Sequence, residues 1–296
     1  MLQIRKLVSY KYCVMTSFRT YAANPISEKQ IDDLRQFFLG FPGGSVDLKK
    51  DEKSKIAYIF LNNPERRNAL SGKMMADLHD SVCELERWTS GKGVILHSSG
   101  PIFCSGGDLT TVKQISNPQD GDKMCEFMQH ITQRLLNLPL VSVALISGRA
   151  LGGGAELTTS CDFRAMTQNA EISFVQAKMG VATGWGGGTR LVKIVGRRNA
   201  LKALLSCEKI DAKRAAEIGL VDYVIEENED PLNGVSSWLE RLLSHDETVV
   251  RSIKNVVTVA EYLPPLESLQ VERSEFAPLW GGKANKAALQ QNIKHK

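Results

Sequence analysis

Two glycine-rich stretches, Ile102-Phe-Cys-Ser-Gly-Gly-Asp-Leu109 and Ser147-Gly-Arg-Ala-Leu-Gly-Gly-Gly-Ala-Glu-Leu157, are where this chain can do chemistry. Each sits where a strand should hand over to a helix. Three successive glycines, Gly152 to Gly154, leave backbone N–H groups uncovered at the positive end of a helix dipole. Such a junction suits an anion, either resident or one that develops during a reaction. In the first stretch Gly106 and Gly107 offer the same kind of donor, with Asp108 at the start of the following helix. Either loop alone is commonplace. Two of them after parallel strands could converge two N–H donors on one oxygen, which is the geometry of an oxyanion hole.

The elements that must position these loops follow from pattern. The apolar run Leu140 to Ile146, opened by Pro139, reads as a buried strand, and Ala155 to Thr159 as the first turns of a helix. Upstream, 31–39 predicts a helix closed by Gly40 to Gly44, 56–61 a strand, and 62–69 a turn. Ser71 is placed to cap a helix reaching Trp88, with Met74, Met75, Leu78, Val82 and Leu85 along one face. A strand at 94–97, a helix at 121–138, and short strands near 163–166 and 172–174 complete the centre. Helical segments are expected at 191–195, 200–205 and 212–218, a strand at 221–225, and a linker at 228–233. Everything from Ser236 onward reads as helix, divided by Pro264-Pro265. The sum is an α/β core over 28–234, a helical region over 235–296, and a separate N-terminal extension, 1–27. Apolar Val249, Val250, Ile253, Val256 and Val257 require the helical region to pack on the core or on a neighbouring subunit.

Composition closes off several functions. The net charge of +4 is scattered, too mild for nucleic acid as the main partner. No run approaches eighteen apolar residues, so no membrane span is expected. The six cysteines lack a C-x-x-C pair and read as reduced thiols, and the five histidines show no metal spacing. Cys104, beside the first loop, has no histidine near it in sequence and reads as a buried packing thiol. Neither glycine cluster fits a nucleotide-binding pattern. Residues 1–27 hold Arg5, Lys6, Lys11 and Arg19 and no acidic residue, the composition of a mitochondrial transit peptide or of an untethered tail.

With these residues in view, the chain resembles the crotonase (enoyl-CoA hydratase/isomerase) family. Phe103 to Leu109 is similar to its F-x-x-G-x-D-L signature, and Gly148 to Leu157 to its second glycine signature. Asn62 to Leu70 resembles its CoA-binding first loop, and Gly184-Trp-Gly-Gly-Gly-Thr-Arg-Leu191 its P-G-x-G-G-T-x-R-L segment. The likeness implies a spiral of ββα turns with a helical C-terminal oligomerisation region, as a homotrimer or a dimer of trimers. It implies that the Gly107 and Gly153 amides bind a thioester carbonyl as it becomes an enolate, with Gly106 and Gly152 beside them. Arg66, Asn68 and Ala69 would meet the CoA moiety, with Arg66 and Arg67 near its phosphates.

Glu156 stands where hydratases keep one of two catalytic carboxylates, and Gln176 stands at the other. An amide cannot shuttle a proton, so ordinary hydration is not expected. Trp185 would wall the acyl pocket, or simply pack in the core. Phe41 to Leu48, Leu279 to Asn285 and the Trp185 segment resemble the branch of the family that removes carboxylate from ethylmalonyl-CoA and, less well, methylmalonyl-CoA. That reaction needs no cofactor, since CoA is part of the substrate, and an acid must protonate the enolate, with Glu156 or water as candidates. The resemblance implies a cytosolic enzyme, against the mitochondrial reading of the N-terminus. The rival readings are another crotonase activity on a CoA thioester, hydrolysis or isomerisation, and a non-catalytic RNA-binding or scaffold member.

Overall fold

The computed structural model describes residues 26–290, so the N-terminal expectation for 1–27 lies almost wholly outside the described residues. The chain opens with α1 (Glu28–Leu39) and the antiparallel pair β1 (Ser45–Asp51) and β2 (Ile56–Asn62). Then come α2 (Gly72–Arg87), β3 (Gly93–Ser98), β4 (Ile102–Cys104), α3 (Leu109–Gln114) and α4 (Pro118–Leu136). The second glycine loop lies within β5 (Val141–Ile146), β6 (Arg149–Leu151) and α5 (Gly153–Thr158). It is followed by β7 (Phe163–Thr167), β8 (Glu171–Ser173), α6 (Gly187–Ser206), β9 (Ile210–Asp211), α7 (Ala212–Glu217) and β10 (Tyr223–Ile225). Four helices finish the described chain: α8 (Pro231–Leu242), α9 (Glu247–Ala260), α10 (Pro265–Leu279) and α11 (Lys283–Gln290).

The strands build two sheets. One runs β1-β2-β3-β5-β7-β10, parallel except for β1, and the other β4-β6-β8-β9, parallel except for β9. Successive pairs, β3 with β4, β5 with β6 and β7 with β8, therefore give one strand to each sheet, which is the ββα spiral. The larger sheet is covered on both faces. Ala57, Ile59, Leu61, Leu96 and Ile146 pack with α2 and α4 side chains such as Met75, Leu78, Phe127 and Ile131. Alternate residues Ile56, Ile95, Val143 and Leu145 pack with Val235 and Leu239 of α8, Leu243 at its end, and Val250 of α9. Burial on both sides explains why β3 and β5 are nearly continuous apolar runs.

Several boundaries depart from the sequence expectation. β1 was not foreseen, because Ser-Val-Asp-Leu-Lys-Lys-Asp holds only two apolar residues; it is an edge strand held by full pairing with β2. α4 begins at Pro118 rather than Gly121, since Asn117 accepts a hydrogen bond from the Asp120 N–H and proline suits the first helical position. The linker expected over 228–233 is shorter, because Asp230 caps α8 at Pro231 in the same way. The expected break between 195 and 200 is present inside α6, where Gly196 adopts φ 75°. α8 and α9 share the core of the larger sheet, while Ile253 and Val257 on α9 remain exposed.

Candidate active site

The end of the 62–70 turn is zipped onto the backbone of the 102–109 loop. The Leu70 N–H donates to the Gly106 carbonyl (2.8 Å), and the Asp108 N–H donates to the Leu70 carbonyl (2.8 Å). This bridge uses the groups flanking Gly107 and leaves the Gly107 N–H outside it. Asp108 then caps α3 by accepting from the Thr110 and Thr111 N–H groups (2.8 and 3.2 Å). Gly153 is the first residue of α5, a position whose N–H has no partner within the helix.

The two loops touch through backbone alone. A Cβ on Gly106 would lie 3.0 Å from the Gly153 nitrogen, and one on Gly154 would lie 2.1 Å from the Cys104 carbonyl oxygen. Only glycine permits this approach, and φ 97° at Gly106 demands it independently. The Trp185 indole lies against both loops. A Cβ on Gly153 would fall 2.6 Å from the ring, and one on Gly107 would fall 3.8 Å from it. Trp185 is 3% exposed, so it is at once core and wall.

Glu156, one turn into α5, holds that wall. Its carboxylate is buried and accepts from the Trp185 N–H (2.8 Å), the Gly187 N–H (2.9 Å), the Gly184 N–H (3.3 Å) and Gln176 Nε2 (2.8 Å). Arg190, on α6, completes the grip. Its guanidinium donates to the Trp185 carbonyl (2.7 Å), to Thr132 Oγ1 (3.2 Å) and to Thr159 Oγ1 (3.0 Å). Burial lowers the Arg190 pKa to about 10, against the opposing pull of Glu156. In the sequence Arg190 stands out only as a charged residue within the 184–191 segment, at the start of α6.

The expected site residues divide accordingly. Gly106, Gly107, Gly152, Gly153, Glu156, Gln176 and Trp185 come together in one cluster. Gly152 takes φ 54° as the cap of α5, and its N–H donates to the Ser173 carbonyl, so it shapes the turn. Asn68 does not present its side chain to a ligand: it is fully buried, giving its amide to the Ser99 and Ile102 carbonyls and accepting from the Asn63 N–H. The side chain is consumed in folding the loop, which leaves the backbone of this residue to meet a ligand. Ala69 is buried, and its carbonyl accepts from Asn63 Nδ2 (2.9 Å). Arg66 and Arg67 are exposed on the turn above. Cys104 is buried, and desolvation pushes its thiol up to about 12, as suits packing rather than nucleophilic attack. Among the described residues no cluster has the make-up of a metal site, and no helix is long and apolar enough to cross a membrane.

Fold and site together define a protein that brings two glycine turns against one apolar wall. Residues 51–288 match the enoyl-CoA hydratase/isomerase family, and the chain belongs to it. Within that family it is 49% identical over 267 residues to a Danio rerio protein named ethylmalonyl-CoA decarboxylase, covering 89% of this chain and 88% of that one. A Homo sapiens protein of the same name is 44% identical over 260 residues, covering 87% and 84%. Among solved structures, an enoyl-CoA hydratase of Geobacillus kaustophilus superposes with a TM-score of 0.78 at 23% identity, over 84% of this chain and 93% of that one. A putative enoyl-CoA hydratase of Thermobifida fusca, in complex with CoA, gives 0.70 at 25% identity, over 80% and 93%.

Proposed function

We propose that the chain is a carboxy-lyase that decarboxylates ethylmalonyl-CoA. The observation that carries this is the meeting of the Gly107 and Gly153 loops beneath the Trp185 indole, in a chain 44–49% identical to proteins named for that reaction. In the reaction the bond from C2 to the carboxylate carbon breaks, CO2 departs, and the electron pair passes into the thioester as an enolate. The charge gathers on the thioester oxygen, where the Gly107 and Gly153 amides stabilise it more than they stabilise the neutral carbonyl. The thioester is its own electron sink, so the step calls for no cofactor.

In this reading Glu156 is a positioning residue. With four N–H donors on its two oxygens, a proton on it would cost at least one of those bonds, so the proton for C2 comes from water. Trp185 faces the substrate carboxylate with apolar surface, which favours neutral CO2 over the charged group. Methylmalonyl-CoA is a poorer substrate in this proposal. Exposed Arg66 and Arg67 are the residues to meet the CoA phosphates in this proposal, and the exposed Leu266, Leu269, Phe276 and Trp280 of the C-terminal region supply surface for a trimer or a dimer of trimers. A cytosolic location belongs to the same proposal and is tested by imaging fusions with and without residues 1–27. The deciding experiment is turnover of malonyl-, methylmalonyl-, ethylmalonyl- and crotonyl-CoA. CO2 release greatest with ethylmalonyl-CoA supports the reading. Hydration of crotonyl-CoA, or thioester hydrolysis without CO2, overturns it.

A further inference from the structure

Away from this site, α2 and α4 are joined through one guanidinium that spends all five of its N–H groups. Arg134 Nε donates to Glu86 Oε1 (2.8 Å). One terminal nitrogen donates to His79 Nε2 (3.3 Å) and His130 Nε2 (3.1 Å). The other donates to Glu86 Oε2 and to Cys83 Sγ (3.3 Å). A guanidinium has no lone pair to offer, so both imidazoles must present theirs to it. The His79 proton then sits on Nδ1, facing Asp80 Oδ1 (3.1 Å), and Asp80 is itself held by Arg35 of α1 (2.7 and 2.5 Å).

A neutral thiol is a weak acceptor and a poor fifth partner for a guanidinium; a thiolate is a good one. Burial alone would push the Cys83 thiol up, but the Arg134 guanidinium, donating to the sulfur at 3.3 Å, opposes it, and the thiol is drawn below its ordinary value. Cys104 and Cys161 are buried and pushed up to about 12, and Cys125 is pushed up by burial and by Glu156 and Asp122. Cys83 is only half-buried, so a small reagent can reach it. An electropositive, partly exposed setting is what makes a thiol reactive.

We propose that Cys83 is a site of covalent modification, a sulfur held by Arg134 that reacts with hydroperoxides. The sulfur pair attacks one oxygen of hydrogen peroxide; the S–O bond forms as the O–O bond breaks, and hydroxide leaves, becoming water with the proton that the thiol released to solvent on ionising. Sulfur loses two electrons and the peroxide gains them, leaving a sulfenic acid.

The test uses the full chain with limiting hydrogen peroxide, dimedone as the trap, and peptide mass spectrometry as the readout. Dimedone labels Cys83 at least about tenfold faster than Cys125, and Arg134→Met lowers Cys83 labelling by about tenfold while Arg134→Lys retains part of it. Equal labelling of Cys83 and Cys125, or labelling indifferent to Arg134→Met, overturns the proposal. Should Arg134→Met fail to fold, thiolate absorbance decides on the native chain. The difference between wild type and Cys83→Ser must titrate below the ordinary thiol range, and a difference titrating within or above that range overturns the proposal.

Discussion

Gly153→Ala is the smallest change that tests how the wall and the oxyanion amide depend on each other. Gly153 is helical, so alanine keeps its backbone and its N–H. The added methyl would lie 2.6, 2.7 and 2.9 Å from three carbons of the Trp185 ring, where carbon atoms rest at about 3.5–4.0 Å. The ring or the first turn of α5 must therefore move by about 1 Å. The ring cannot retreat freely, because Glu156 and Arg190 hold its backbone on both sides. A misplacement of that size costs about 100-fold, at the lower end of the roughly 2.7–4 kcal/mol attached to one oxyanion donor. Stability should change little, since better helix propensity (about 1 kcal/mol) opposes overpacking of about 1–3 kcal/mol. With CO2 release from ethylmalonyl-CoA as the assay, kcat should fall about 100-fold with little change in Tm. Because the damage passes through the indole, the loss in Gly153→Ala/Trp185→Leu should fall short of the product of the two single losses by at least about tenfold. A single variant within twofold of wild type, or strictly multiplicative losses, refutes the reasoning.

Further outcomes are expected elsewhere. Glu156→Gln turns an NH2 toward the loop N–H donors, so thermal unfolding should show a loss of about 3 kcal/mol, with kcat falling in step; an unchanged Tm would mean that the clamp is not rigid. Lys254, buried with its ammonium on Asp162 and the Leu136 carbonyl, should cost about 3 kcal/mol in urea unfolding when changed to methionine, because Asp162 loses the ammonium and keeps only its bonds from the Ser142 N–H and hydroxyl. His97, packed by Tyr58 and Phe60, is lowered to about 4 by burial. Below its ordinary pKa of about 6.5 the unfolded chain takes up a proton that the folded chain refuses until about pH 4. Stability from this group is thus complete above pH 6.5 and lost as pH falls toward 4, and His97→Gln should flatten the fall of Tm with pH across that window. An identical slope in the variant would show that His97 titrates freely.

What was legible in the chain was whatever depends on backbone. Glycine at 106 and 154 is required because two loops meet there backbone to backbone, and glycine at 153 because the Trp185 ring lies against it; those requirements are written at the positions themselves. The Ser71 cap and the strand at 56–61 were similarly local. What was not legible were the partners of polar side chains. Asn68 looks like a ligand contact in a loop, and nothing nearby in sequence reveals that the Ser99 and Ile102 carbonyls, 31 and 34 residues on, consume its amide. Glu156 looks like a proton donor until the loop 28 to 31 residues downstream closes over it. β1 was hidden for a different reason: an edge strand with a polar face carries little apolar signal.

The most direct test of the central claim is a crystal structure of this chain with butyryl-CoA, the product of the proposed reaction. The account predicts the thioester oxygen within about 2.7–3.1 Å of both the Gly107 and Gly153 nitrogens, with the acyl chain against Trp185. A thioester oxygen lying beyond hydrogen-bond reach of either nitrogen would contradict it.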